Sequence, residues 1–173
     1  MMQDSLSHII ADQTCRALWE VRNVIACVPE ELWTRPYCEA PLWQHMYHML
    51  HSLDVWYQNP RDPAYTEPDF HTDQLNNLDV RPDITLTRAQ LEAYFEAVRE
   101  KIEAYTASLT DEVLLEKPEN CEYARFTCIL AQFRHLHTHL GMLMGFLIGD
   151  TGEWPFVLGL ERSIPDGGFG TFF

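Results

Sequence analysis

His135 and His139 stand four residues apart in an apolar run from Phe126 to Ile148 that reads as one long helix. At about 100° per residue they share a face, one turn apart. Two imidazoles so placed can bind one metal ion, which is why H-x-x-x-H on a helix recurs in zinc and other transition-metal sites. His137 points to the far side of the same helix and cannot join them. A second cluster, His45, His48 and His51, lies on an earlier predicted helix, so six of the eight histidines fall in two short stretches. The expectation is a metal held between two helices by His135, His139 and one histidine of the earlier group. Three protein ligands with one position left open is the pattern of a mononuclear catalytic site. The plainer reading of a histidine in an apolar helix is a hydrogen-bonded core residue, and a lone H-x-x-x-H is a weak signal. The second cluster is what raises the metal reading.

Four helices must position these groups. The first runs from Asp4 or Ser5 to Cys27, with Leu6, Ile9, Ile10, Ala17, Leu18, Val21, Val24 and Ile25 at helical spacing. Pro29 stops it, and Pro29-Glu30-Glu31-Leu32 starts a short turn; Thr34 to Ala40 reads as a connection. The second helix begins near Pro41 and continues to about Gln58, before Asn59-Pro60. With His48 at 0°, ideal geometry puts His45 near about +60°, His51 near about −60° and the apolar arc near about +100°. The wheel therefore slightly prefers His45 as the inward residue, keeps His48 at the boundary and disfavours His51.

Residues 59–86 form a long proline-rich connection pinned by Phe70, Leu75, Leu78 and Val80; it can cover one end of a site or serve only as a packed crossover, and the second reading is preferred because most loop residues serve no chemistry. A connection this long can span the molecule and leave helices two and three parallel. Thr87-Arg88-Ala89-Gln90 is a capping box that opens the third helix, which extends to Leu109; Thr110-Asp111-Glu112 caps a short turn. The fourth helix runs from Phe126 or Thr127 to Ile148 and ends at Gly149-Asp150-Thr151-Gly152. Gly141 and Gly145 within it would let another helix approach closely. The aromatic tail to Phe173 is expected to pack on the helices or on a second subunit.

Composition limits the function. The chain has 173 residues, enough for a single domain (1–173) with a sizeable core. A formal charge of −14 argues against nucleic acid, and no Lys/Arg run suits an anionic membrane. No stretch is long and apolar enough to span a bilayer. Five cysteines without a C-x-x-C pair, behind a start that carries no secretory signal, suggest reduced thiols and a cytoplasmic location. A ferritin-like di-iron site needs Glu-x-x-His on two helices, and here Gln132 and Leu136 precede His135 and His139. There is no G-x-S-x-G and no G-x-x-x-x-G-K.

Pro41-Leu42-Trp43-Gln44-His45-Met46-Tyr47-His48-Met49-Leu50 and His135-x-x-x-His139-Leu140-Gly141, set in four helices with a long second connection, resemble the DinB/YfiT-like family of metal-dependent helical proteins. The register of that family selects His48 over the His45 that the wheel prefers. The resemblance then implies a three-histidine metal site of His48, His135 and His139. It also implies an all-α, up-down-down-up four-helix bundle with the crossover between helices 2 and 3, a homodimer, and a divalent metal, zinc or nickel. Family members often carry H-R-G-Q around the last ligand, where this chain has His139-Leu140-Gly141-Met142, so shared substrate contacts do not carry over. The DNA-damage origin of the family name implies no DNA binding here, given the charge.

Two function classes follow. One is a metal-dependent enzyme acting on a small molecule, a hydrolase or a low-molecular-weight-thiol transferase; no residue stands out as general base. The other is a non-catalytic metal-binding or stress-response helical protein, which a fourth ligand closing the site would favour, with Cys38 and His45 the candidates. Glu122, Asp54 and Gln132 are candidates to accept the second N–H of the ligating imidazoles.

Overall fold

The computed structural model describes residues 5–173, so Asp4, one of the two expected starts of the first helix, lies outside the described residues. Ser5 caps helix α1 (Leu6–Cys27), its hydroxyl accepting from the His8 N–H at 3.2 Å. The Asp111 carboxylate accepts from the next free donors, Leu6 N and Ser7 N, at 3.1 and 2.8 Å. That places a negative charge at the positive end of the helix and ties α1 to a distant turn. A 3₁₀ turn at Glu30–Leu32 follows Pro29.

The connection before the second helix is not plain coil. Strands β1 (Pro36–Tyr37) and β2 (Ala40–Pro41) form an antiparallel hairpin with Tyr37 opposite Ala40. Its two turn residues, Cys38 and Glu39, have φ of 48° and 74°. Both lie in the left-handed region that a two-residue hairpin turn requires. Residues with a Cβ pay about 1–2 kcal/mol each for that conformation. Asn-Gly is the usual signal for such a turn, and its absence hid the hairpin. Interactions outside the turn hold it: Tyr37 stacks on Phe146 with centroids 4.5 Å apart, the Tyr37 hydroxyl donates to Asp150, and Arg35 pairs with Asp150 at 2.8 Å.

Helix α2 (Leu42–Trp56) starts just after Pro41 and ends two residues short of the expected Gln58. Helix α3 (Arg88–Ala107) carries the capping box as read, with Thr87 accepting from Gln90 N and the Gln90 side chain accepting from Thr87 N. The short α4 (Asp111–Leu114) follows Thr110. Helix α5 (Arg125–Thr151) outruns its expected end at Ile148. The glycine that stops it is Gly152, at φ 74° with its N–H on the Ile148 carbonyl at 2.9 Å. Gly149 keeps a helical backbone, whereas Gly152 takes the left-handed conformation that closes the last turn.

The chain is mostly helical, with one two-stranded ribbon. α2 packs on α5 and α3, α1 packs on α3 and α5, and α4 bridges α1 and α5. Contacting pairs rise together along α2 and α3 (Tyr47 with Tyr94, Asp54 with Lys101), and run oppositely along α2 and α5 (His45 with Phe146, His48 with His135). Trp43, Tyr47, Tyr57 and Phe95 are the largest fully buried side chains of one contiguous core. No described helix is long and apolar enough to cross a membrane. Gly141 and Gly145 meet no such neighbour: nothing lies within 4 Å of a Cβ at either position, so the close helix approach expected there is not made within the chain.

The crossover is pinned differently from expectation. Leu75 and Leu86 are buried and Phe70 packs on the core, but Val80 is exposed. A polar group takes over that part of the anchoring: Nε2 of the buried Gln44 lies 3.1 Å from each of the carbonyls of Leu75, Asn77 and Val80, its two protons shared among the three acceptors.

The tail packs on α1, where Trp19 meets Phe156 and Phe169 and Arg16 donates to the carbonyls of Gly159 and Arg162, and one fully buried amide joins the two. Asn23 donates to the carbonyls of Phe156 and Thr171 and accepts from Gly170 N and Thr171 N, all at 2.9–3.0 Å. Asn23→Ala should lower the unfolding free energy by about 2–4 kcal/mol, because it strands several backbone groups at once. Urea titration measures that loss, and limited proteolysis should show earlier cleavage between residues 157 and 173.

Candidate metal centre

α5 sets His135 and His139 beside its buried face of Gln132, Leu136, Leu140, Leu143 and Leu147. α2 supplies His48 from across the seam. The structure brings these three together: their ring nitrogens include one atom each that all lie within 4.8 Å of one another. Ring centroids are 4.4 Å apart for His135–His139, 4.6 Å for His48–His139 and 5.4 Å for His48–His135. All three are half-buried. His137 stays outside, exposed, with Nδ1 on its own helix at the Phe133 carbonyl.

His45 is the most buried histidine of α2, as the wheel suggested, yet burial has a different purpose there. Its Nε2 sits 2.7 Å from the Tyr37 carbonyl and so anchors the hairpin. Cys38, the other candidate for a closing ligand, is exposed at the hairpin tip. Among the described residues neither belongs to the group of His48, His135 and His139. His51, which the wheel turned away from the core, is buried as well. The crossover covers that side of α2, and a helical wheel cannot register what a distant loop will cover.

Electrostatics favour neutral rings. Burial, followed by the neighbouring His48, His135 and His45, pushes His139 down to about 4. His135 is lowered by burial first and His48 second. The Nδ1 atoms of His135 and His139 are buried with no hydrogen-bond partner among the described residues. Nδ1 of His48 is 2.7 Å from the Asn76 carbonyl; a carbonyl only accepts, so Nδ1 carries the proton and Nε2 presents its lone pair. This donor set, three imidazoles of which His135 and His139 carry unpartnered buried nitrogens, suits a borderline divalent ion.

None of the expected outer partners pairs with these rings. Asp54 is held by Lys101 at 2.6 Å and Tyr94 at 3.0 Å, Glu122 is exposed, and Gln132 is buried with Oε1 unpartnered. The partner found is a backbone oxygen from the crossover, which no side-chain pattern announces. The reading of the crossover as packing alone therefore falls short.

The DinB superfamily profile matches residues 13–144, a span that holds all three histidines. The chain belongs to the DinB superfamily. Searches of curated proteins and of solved structures returned no match. Membership of the DinB superfamily is compatible with metal binding at a histidine cluster such as this one.

The lowered rings have a consequence for the metal-free protein. An unfolded histidine takes up a proton near pH 6.5, whereas folded His139 does so only near 4. Between those values the unfolded chain binds more protons, so the fold keeps its full stability above about pH 6.5 and loses it as pH falls toward 4. Melting temperatures taken in chelator across this window should fall steadily, and His139→Gln should flatten the fall.

Proposed function

We propose that this protein is a divalent-metal-dependent enzyme whose ion, zinc or nickel, is held by His48, His135 and His139 with a coordination position left open. The observation that carries the reading is the convergence of three half-buried imidazoles from α2 and α5, with no fourth His, Cys, Asp or Glu in their group among the described residues. An ion held by three neutral imidazoles keeps its full charge, and so acidifies a coordinated water or thiol. Asn76 orients His48, while α5 fixes the spacing of His135 and His139.

The proposed substrate is a small molecule; a small apolar hollow lies on the same seam, lined by none of the three histidines. Trp56, Tyr123, Cys128, Ala131 and Gln132 line about 140 Å³ along the α2–α5 seam, one helical turn before His135. The reaction fits a hydrolase or a low-molecular-weight-thiol transferase, in a cytoplasmic setting. The opposed registers of α2 with α5 and the shared direction of α2 with α3 support an up-down-down-up four-helix bundle forming a single domain. The face of α5 bearing Gly141 and Gly145, free of intrachain neighbours, supports a homodimer.

His135→Ala or His139→Ala should remove about one equivalent of divalent ion per chain, as should His48→Ala, with His137→Ala and His45→Ala retaining it. Metal analysis of tag-free protein measures this, and equal loss from all five variants would reject the site. In the cobalt-substituted protein, a thiolate-to-cobalt charge-transfer band on adding a small thiol would favour thiol transfer over hydrolysis.

A further inference from the structure

One turn beyond His48, the crossover brings a second set of ligating groups against α2. His51, Glu67 and His71 have ligand atoms that all lie within 4.8 Å of one another. Nε2 of His51 is 2.8 Å from Oε2 of Glu67, and Nδ1 of His71 is 3.7 Å from the same oxygen. The two rings stack with centroids 5.1 Å apart. His51 is buried on the helix, while the Glu67 side chain is 44% exposed, so the group opens to solvent on one side.

We propose that His51, Glu67 and His71 form a second divalent-metal site, separate from the three-histidine group. Two imidazoles and one carboxylate are the donor set of open zinc sites and of non-haem iron sites, so the ligand is a borderline transition-metal dication. The carboxylate supplies a negative charge that the all-histidine group lacks, which makes this set the more tolerant of a harder ion. Tyr65 donates to Glu67 Oε2 at 3.1 Å, whereas the Tyr47 hydroxyl, 2.5 Å from His71 Nδ1, competes for the nitrogen that faces Glu67 and gives it up when His71 ligates through it. Because His51 comes from α2 and the other two ligands from the crossover, an ion here would clip residues 67–71 to the helix. The same crossover carries Asn76, so this site would stiffen the loop that orients His48.

The test begins from His135→Ala/His139→Ala protein, tag-free, titrated with Co²⁺ at neutral pH and followed by visible absorption and equilibrium dialysis. About one equivalent should still bind, and adding Glu67→Gln should weaken that binding at least about tenfold, the loss typical even of outer partners. No saturable cobalt binding in the double variant, or binding indifferent to Glu67→Gln, would overturn the proposal and leave a hydrogen-bonded knot. Circular dichroism checks folding. If the double variant does not fold, Glu67→Gln alone in the otherwise unchanged chain decides: stoichiometry should fall from about two to about one. An unchanged stoichiometry there sinks the second site, while a loss of the remaining ion only on His135→Ala keeps the two sites distinct.

Discussion

The buried amide of Gln44 holds the carbonyls of Leu75, Asn77 and Val80, and through them it fixes the part of the crossover on which the site depends. Backbone carbonyls removed from water must find donors, and a loop without regular structure has none of its own to spare. One side chain of α2 shares its two protons among three of them. Asn76 lies between the anchored residues, and its carbonyl sets the tautomer and direction of His48. The same helix that offers a histidine to the seam thus also holds the loop that aims it.

Charge explains why the three rings can share a half-buried space. Protonated, they would repel one another in surroundings that already penalise a charge. Neutral, they are compact apolar-edged groups whose lone pairs are the only unmet demand, and His135 and His139 retain buried nitrogens without partners. No Asp or Glu belongs to this group among the described residues, and some acids, such as Glu96 and Glu103 on Arg99, are held in surface pairs. Such exposed pairs contribute little to stability.

Helix identity and capping were legible in local pattern. The Thr87–Gln90 capping box, the stop at Pro29 and the apolar period of α1 all depend on residues within a few positions of one another. Local pattern and fold part company where one position has two possible physical outcomes. Gly149 had the residue type of a stop but not the conformation, and Gly152 had both. Cys38 and Glu39 turn left-handed without glycine because Tyr37 and Arg35 are held from α5. Val80 is apolar yet exposed, since its segment is held by its carbonyl rather than by its side chain.

For the candidate site, the sequence by itself determined that His135 and His139 share a face, because helical spacing is a local property of four residues. It also confined the third imidazole to the cluster of His45, His48 and His51. Residue pattern alone prefers His45 and only the family register points to His48; the tertiary structure supplies the physical reason, since the hairpin engages His45, the crossover engages His51, and His48 is left facing His135 and His139. Partners 8, 16 and 28 residues away, two of them backbone carbonyls, made that assignment, and a carbonyl leaves no mark in the order of side chains.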